Sequence, residues 1–317
     1  MKNLLLLLTS LLLIACEEQA SSTSQAPETT KPQAPAPSQV AAYSLSGKAF
    51  YAPTPSAKLL EKLATRQKAY EAQPQDVEAL IWYGRFLAYA GDYNAAIELY
   101  SKGIAQFPED SRLYRHRGHR YISSRKFEAA IKDLTKAGQL IEGQENSMEP
   151  DGMPNAQNIP VSSRHGNIWY HLGLAHYLQQ DMPKALAAYA QCLASTQNAD
   201  NLVSSTHWLY MISRRMGEEK KAQQYLEAIH DSLEVIENTA YHKACLFYKG
   251  ALPLDSLMTG AGATSGNDAL HYAIGNWQRY NGQKEEAKAT FEQLLANGQW
   301  NSFGYIAAEA DLQALDN

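Results

Sequence analysis

A pattern that returns every 34 residues constrains this chain more than anything else in it. Gly84 is answered by Gly118, Tyr93 by Phe127, Ala96 by Ala130 and Gly103 by Ala137. A fixed period in the 30s, built from small and aromatic residues, belongs to arrays of helical hairpins. A small residue on one helix lets the next cross it closely, and an aromatic side chain fills the gap beside the crossing. Each hairpin then leaves an apolar face that only the following hairpin can bury, so the units must stack.

The stretch resembles the tetratricopeptide repeat, whose pattern is carried here by Tyr83-Gly84, Ala96, Tyr100 and Pro108, and again by Tyr114, Gly118, Tyr121, Ala130 and Ala137. The resemblance implies an all-α solenoid of about five to six repeats, some of them degenerate. An opening helix is expected over 56–72. Full repeats are expected over 77–110 and 111–145, with a third carried by Gly173, Tyr177, Ala185 and Tyr189. Leu209-Tyr210, Gly217, Ala222 and Leu226 keep the rhythm of a fourth. Tyr241 to Gly250 reads as the first helix of a further hairpin whose partner Pro253 and the following loop disrupt. Gly275, Gly282, Ala287 and Phe291 restore the pattern. Tyr305, Ala308, Leu312 and Leu315 then recur at helical spacing, as expected of a C-terminal capping helix.

The period breaks once. Gly173 follows Gly118 by 55 residues, 21 more than one repeat, and the excess falls at about 143–166. Pro150, Asp151-Gly152 and Pro154 in that segment favour tight turns over helix. Insertions in repeat arrays map to loops on one face, often the binding face.

The N-terminus has a different character. Lys2 precedes a short apolar run from Leu4 to Ala15, too brief to span a bilayer and suited to a signal peptide over 1–15. Leu13-Ile14-Ala15-Cys16 resembles the lipobox of bacterial lipoproteins, which are cleaved before the cysteine and acylated on it. That resemblance implies lipidation of Cys16 and a place in the bacterial cell envelope, at the outer membrane, facing the periplasm or the surface. Glu17-Glu18 is similar to the acidic export tags of some surface-exposed Bacteroidetes lipoproteins, and equally to a merely solvated pair. Residues 16–48 are mostly Ser, Thr, Ala, Gln and Pro. They cannot bury enough surface to offset their ordering entropy and read as a disordered tether, with the solenoid over 49–317. Blocks such as Arg115 to Ile122, Ile168 to Tyr177, His207 to Tyr210 and Phe303 to Ile306 are together similar to an uncharacterised group of bacterial envelope tetratricopeptide lipoproteins.

Without Lys2 the 28 basic side chains become 27 against 33 acidic, a net charge of −6, which argues against a nucleic-acid partner. Cys192 and Cys245 remain once Cys16 is lipidated. An exported chain can pair two cysteines, but a whole hairpin separates these, and a disulfide needs alpha carbons within about 7 Å. They are expected to be unpaired and buried.

The repeat resemblance implies that five positions on each first helix line a concave groove. In five repeats these hold Arg85, Arg112, Arg115, Arg214, Arg215 and Arg279, six of the chain's 11 arginines, against one acid, Glu78. Tyr89, Tyr170, Tyr177, Tyr272 and Tyr280 share the set, with His119, His207 and Asn276. Arginine suits planar recognition of carboxylate or phosphate, and tyrosine adds a stacking face with a hydrogen-bonding tip. The alternative is that acids from the insert or the second helices answer these arginines and that the tyrosines are core. A matched carboxylate clamp is disfavoured by Ile81 at the fifth position of the first repeat.

His116 with His119, and His171 with His176, lack a neighbouring carboxylate or cysteine at ligand spacing, so no metal is expected. Glu149 or Asp151 would need to meet a groove histidine for hydrolysis. No nucleophile motif, phosphate loop or dinucleotide fingerprint is present. The chain reads as a non-catalytic scaffold, without cofactor, that binds a protein or peptide partner of anionic or carboxylate-bearing character. Glycan or small-molecule capture is the alternative, and a hydrolase using the insert the lesser one.

Overall fold

A computed structural model describes residues 40–257 and 264–316. The signal segment, Cys16 and the tether as far as residue 39 lie outside the described residues. The first described element is a short antiparallel hairpin, β1 (Val40–Tyr43) and β2 (Ala49–Tyr51). Residues 40–48, expected to be tether, are thus part of the folded unit. Their signal was a few apolar residues at its edge: Ala42 and Phe50 are buried against Tyr305, near the far end of the chain.

Helices follow in antiparallel pairs. An opening helix α1 (Ala57–Ala72) precedes α2 (Val77–Tyr89) with α3 (Tyr93–Gln106), and α4 (Ser111–Ser123) with α5 (Phe127–Leu140). After the insert come α6 (Arg164–Leu178) with α7 (Met182–Ala194) and α8 (Ala199–Arg215) with the short α9 (Glu219–Tyr225). Among the described residues, helix α10 (Thr239–Tyr248) is followed by a single 3-10 turn at Leu254–Ser256 and no partner helix, in keeping with Pro253. Then α11 (Ser265–Tyr280) pairs with α12 (Lys284–Asn297), and α13 (Phe303–Asp316) ends the array.

The starts are capped by side chains. Asp76, Asp92, Asp110 and Asp181 each accept a bond from a backbone N–H two or three residues on, worth about 1 kcal/mol apiece. The 34-residue period also has a direct cause. A Cβ added to Gly84 would meet the Tyr100 ring at 2.5 Å, one at Gly118 would meet Leu134 at 2.7 Å, and one at Gly173 would meet Tyr189 at 2.6 Å. Each glycine of a first helix lets in the large side chain of the second.

At the hairpin turns, Gly91, Gly217 and Gly282 take positive φ, the region that suits glycine. Two turns depart from this: Arg125 (φ 61°) and Gln180 (φ 63°) hold the same conformation with side chains. Both side chains reach α13. Arg125 donates to Glu309 at 2.6 Å and to the Trp300 carbonyl at 2.7 Å, and Gln180 donates to Asp311 at 3.1 Å.

Helix α13 therefore does more than cap. Besides α11 and α12 it touches α6, in the middle of the array. Just before it, Trp300 stacks on Phe50 of β2 with centroids 5.2 Å apart and lies 5.8 Å from Tyr93 of α3. The last helix meets the first strands, and the array closes on itself. Cys192 and Cys245 are both free and buried, as expected. Among the described residues no helix is long and apolar enough to cross a membrane.

Candidate functional site

The insert runs from Gly143 to Ser163, and Arg164 already opens α6. Its two limbs pair through Glu149 N–H to the Ser162 carbonyl at 2.9 Å and Arg164 N–H to the Ser147 carbonyl at 2.8 Å. The loop between them lies on α2 and α4. Arg85 donates to the Pro150 carbonyl at 2.8 Å, and Gly152 packs against the Tyr89 ring. One Glu149 oxygen accepts from both Arg115 and Asn167, each at 2.6 Å. Arg115 and Glu149 are about nine-tenths buried, so this ion pair is largely shielded from solvent. Asp151 accepts from the Met153 N–H and shapes a turn. Neither acid meets a groove histidine.

Below the insert, His119 of α4 packs at a tilt against His171 of α6 with centroids 4.3 Å apart, and Phe303 at the start of α13 closes over both. Tyr170 accepts from the Trp208 indole and bonds the Tyr241 hydroxyl, both at 2.9 Å. His207 lies sealed between Tyr241 and Tyr248. Burial pushes the His207 imidazole down to about 3, and burial with the nearby Arg115 charge pushes His171 down to about 3. His116 and His119 are held well below the usual histidine range by burial, then by Arg115 and Arg120 respectively. All four are neutral rings at physiological pH.

At the C-terminal end, Asp311 is fully buried and gathers Arg215 at 2.9 Å, Arg279 at 2.7 Å and the Tyr272 hydroxyl at 2.8 Å. Burial opposes its charge, but Arg215 and Arg279 pull the carboxyl below its ordinary range. Arg215 also donates to Tyr177 at 2.7 Å and Gln180 at 2.6 Å, and the Tyr177 and Tyr272 hydroxyls bond each other. Asn276 is wholly buried in the same helix as Tyr272. Arg214 lies over the Tyr280 ring and 3.3 Å from Glu219.

The continuous arginine groove read from the sequence is therefore divided into an insert-side cluster, an aromatic middle and a block filled by α13. Every arginine in it has an answer within the chain. Arg112 has Asp110 and Glu78, Arg115 has Glu149, Arg214 has Glu219, and Arg215 and Arg279 have Asp311. Arg85 has the Pro150 carbonyl and Tyr89. The count of groove acids found only Glu78 because the others come from outside the first helices: a hairpin turn, the insert, α9 and α13. Asp311 was findable, since it interrupts an otherwise apolar helical stripe through Tyr305, Ala308 and Leu312. Asn167, Asn201, Asn238 and Tyr241, which line the middle of the concave side, had no distinguishing signal in sequence.

Family profiles described as the tetratricopeptide repeat match residues 77–121, 156–200 and 268–297. The chain is a tetratricopeptide-repeat protein. Among solved structures, a tetratricopeptide repeat protein from Parabacteroides merdae is 16% identical, with 82% of this chain and 93% of that one covered at a TM-score of 0.47. YrrB, described as a tetratricopeptide protein with an unusual peptide-binding site, is 15% identical over 80% of this chain and all of its own, at 0.43. MamA is 20% identical over 51% of this chain and 81% of its own, at 0.40. No curated protein matches the chain. In this tetratricopeptide-repeat protein the concave side is thus crossed by an insert and, toward its C-terminal end, filled by the last helix.

Proposed function

We propose that this protein is a lipid-anchored envelope scaffold that holds a protein partner where the insert meets the edge of the array. The observation that carries the reading is a groove of about 620 Å³ between the Phe107–Arg112 turn and the insert. Phe107, Pro108, Met148 and Pro150 supply apolar surface, and Glu78, Glu109, Arg112 and Arg164 supply charge of both signs. Met148 is 39% exposed. Arg112 is already paired there, so the anionic preference expected of the partner has little to rest on. The groove fits instead a segment of mixed charge with one apolar side chain set on Met148. Glu149, the acid weighed for hydrolysis, is engaged by Arg115 and Asn167, and we read the insert as a strut.

A photo-crosslinking amino acid placed at Met148 should give a discrete adduct in the native envelope, and the same group at exposed Lys184 on α7 should give none. Identical adduct patterns from the two positions would exclude this groove. The anchor rests on Leu13-Ile14-Ala15-Cys16. Cys16→Ser should abolish metabolic labelling with palmitate, and undiminished labelling would exclude the lipoprotein reading.

A further inference from the structure

Away from the rim groove, α4, α6, α7, α8, the start of α10, the end of the insert and the start of α13 line a half-open cavity of about 290 Å³. It shares His119, Asn238, Tyr241 and Phe303 with a second space of about 330 Å³ reaching along α10 and α13. Each is near the lower bound for small-ligand pockets. Three features define what fits. The walls carry aromatic faces from Tyr170, Tyr241 and Phe303. The inner space is close to electrically neutral, because the Arg115 charge is met by Glu149 and the lining histidines are uncharged; Glu237 stands at the exposed outer rim.

The third feature is a pair of acceptors with no donor. His171 is 4% exposed, and its Nδ1–H donates to the Asn167 carbonyl at 2.5 Å, which leaves Nε2 a bare lone pair without a partner. Asn201 donates through Nδ2 to the Val161 carbonyl at 2.8 Å, which fixes Oδ1 as the acceptor, again without a partner. Both residues line the cavity. A buried acceptor left unmade is costly, so a ligand that brings O–H donors to this wall is favoured. An anion meets two lone pairs, a cation meets Arg115, and a hydrocarbon leaves both acceptors empty; Arg115 Nε, a buried donor without a partner on the same lining, is met by a hydroxyl's own lone pair.

We propose that this cavity binds a neutral, hydroxyl-rich ring compound, a sugar unit, with a second unit in the adjoining space. Hydroxyls donate to His171 Nε2 and Asn201 Oδ1, and the ring's C–H face lies on Phe303 and the tyrosines. The proposal is independent of the rim groove and of any protein partner.

The test is saturation-transfer NMR and calorimetry on the folded chain with maltose, cellobiose and lactose, alongside glucuronate and glucosamine as charged counterparts. Transfer to the ring protons of at least one neutral disaccharide is expected, with no transfer to the charged sugars. His171→Phe and Asn201→Leu should each weaken that binding at least tenfold. Ser204→Met, which fills the cavity instead of emptying it, should block it with the fold retained. Tyr43→Ala with Tyr51→Ala, which removes exposed rings elsewhere, should leave it unchanged. Silence from all three neutral disaccharides overturns the proposal, as does equal binding of the charged sugars or full binding by the Ser204→Met chain. Crosslinking from Met148 should persist in the His171→Phe variant, which keeps failure here distinct from failure of the rim groove.

Discussion

Arg125 stands at a turn position that glycine fills in three other hairpins, and its contacts explain why the strain is retained. A left-handed conformation costs a side-chain-bearing residue roughly 1–2 kcal/mol. Against this, Arg125 and Glu309 form an ion pair with side chains 3% and 6% exposed, and removing one partner of such a pair costs about 3–5 kcal/mol. Arg125→Gly should therefore relax the turn and still destabilise the protein by about 1–4 kcal/mol in urea unfolding. A variant as stable as the parent would show that the pair contributes nothing. The histidines make a second prediction at this scale. His116, His119, His171 and His207 protonate far below their ordinary value of 6.5 in the folded chain. The unfolded chain takes up protons below pH 6.5 that the folded chain refuses, so their contribution is complete above 6.5 and declines as pH falls below it. Each contributes up to about 1.4 kcal/mol of loss per pH unit. The melting temperature should drop steeply between pH 6.5 and pH 5, and a flat profile there would mean that these rings titrate alike in the folded and unfolded chain.

The elements divide into those that local sequence determines and those that distant pairing determines. Hairpins were legible because Gly84–Tyr100, Gly118–Leu134 and Gly173–Tyr189 each lie 16 residues apart, and the same contact recurs with the period. The insert was legible as a break in that period, but not its seat. The Arg115–Glu149 pair spans 34 residues, equal to the period, but joins α4 to the insert and not to an equivalent repeat position, and Arg215–Asp311 spans 96. The arginine-rich surface was real as a composition and misread as a vacancy, since its counter-charges, Glu78 apart, lie off the first helices. The insert can be tested directly. Glu149→Ala removes the bonds to Arg115 and Asn167 and should release the loop, so that thermolysin cuts within residues 150–160. Asp151→Asn, which disturbs only a turn, should leave the loop resistant. Equal resistance of the two variants would mean that the loop is held by its own turns and not by the ion pair.

At the scale of the whole molecule, an open solenoid is a sum of nearest-neighbour interfaces, and this one departs from that rule. Helix α13 carries the acids that answer Arg125, Arg215 and Arg279, so it couples repeats far apart in sequence. Truncation after Asn301 should raise hydrogen exchange in α4 and α6 as well as in α11 and α12. A rise confined to residues 264–301 would return the array to simple stacking. The clasp of Phe50 by Trp300 and Tyr305 also has a mechanical consequence. Tension arriving through the chain before Val40 does not peel α1 from the end of a stack. It enters a hairpin already fastened to the last helix, and the load divides between the two ends of the array. Pulled from that point, the protein should resist as one body up to a single rupture force and then give way all at once, where an open array would lengthen repeat by repeat.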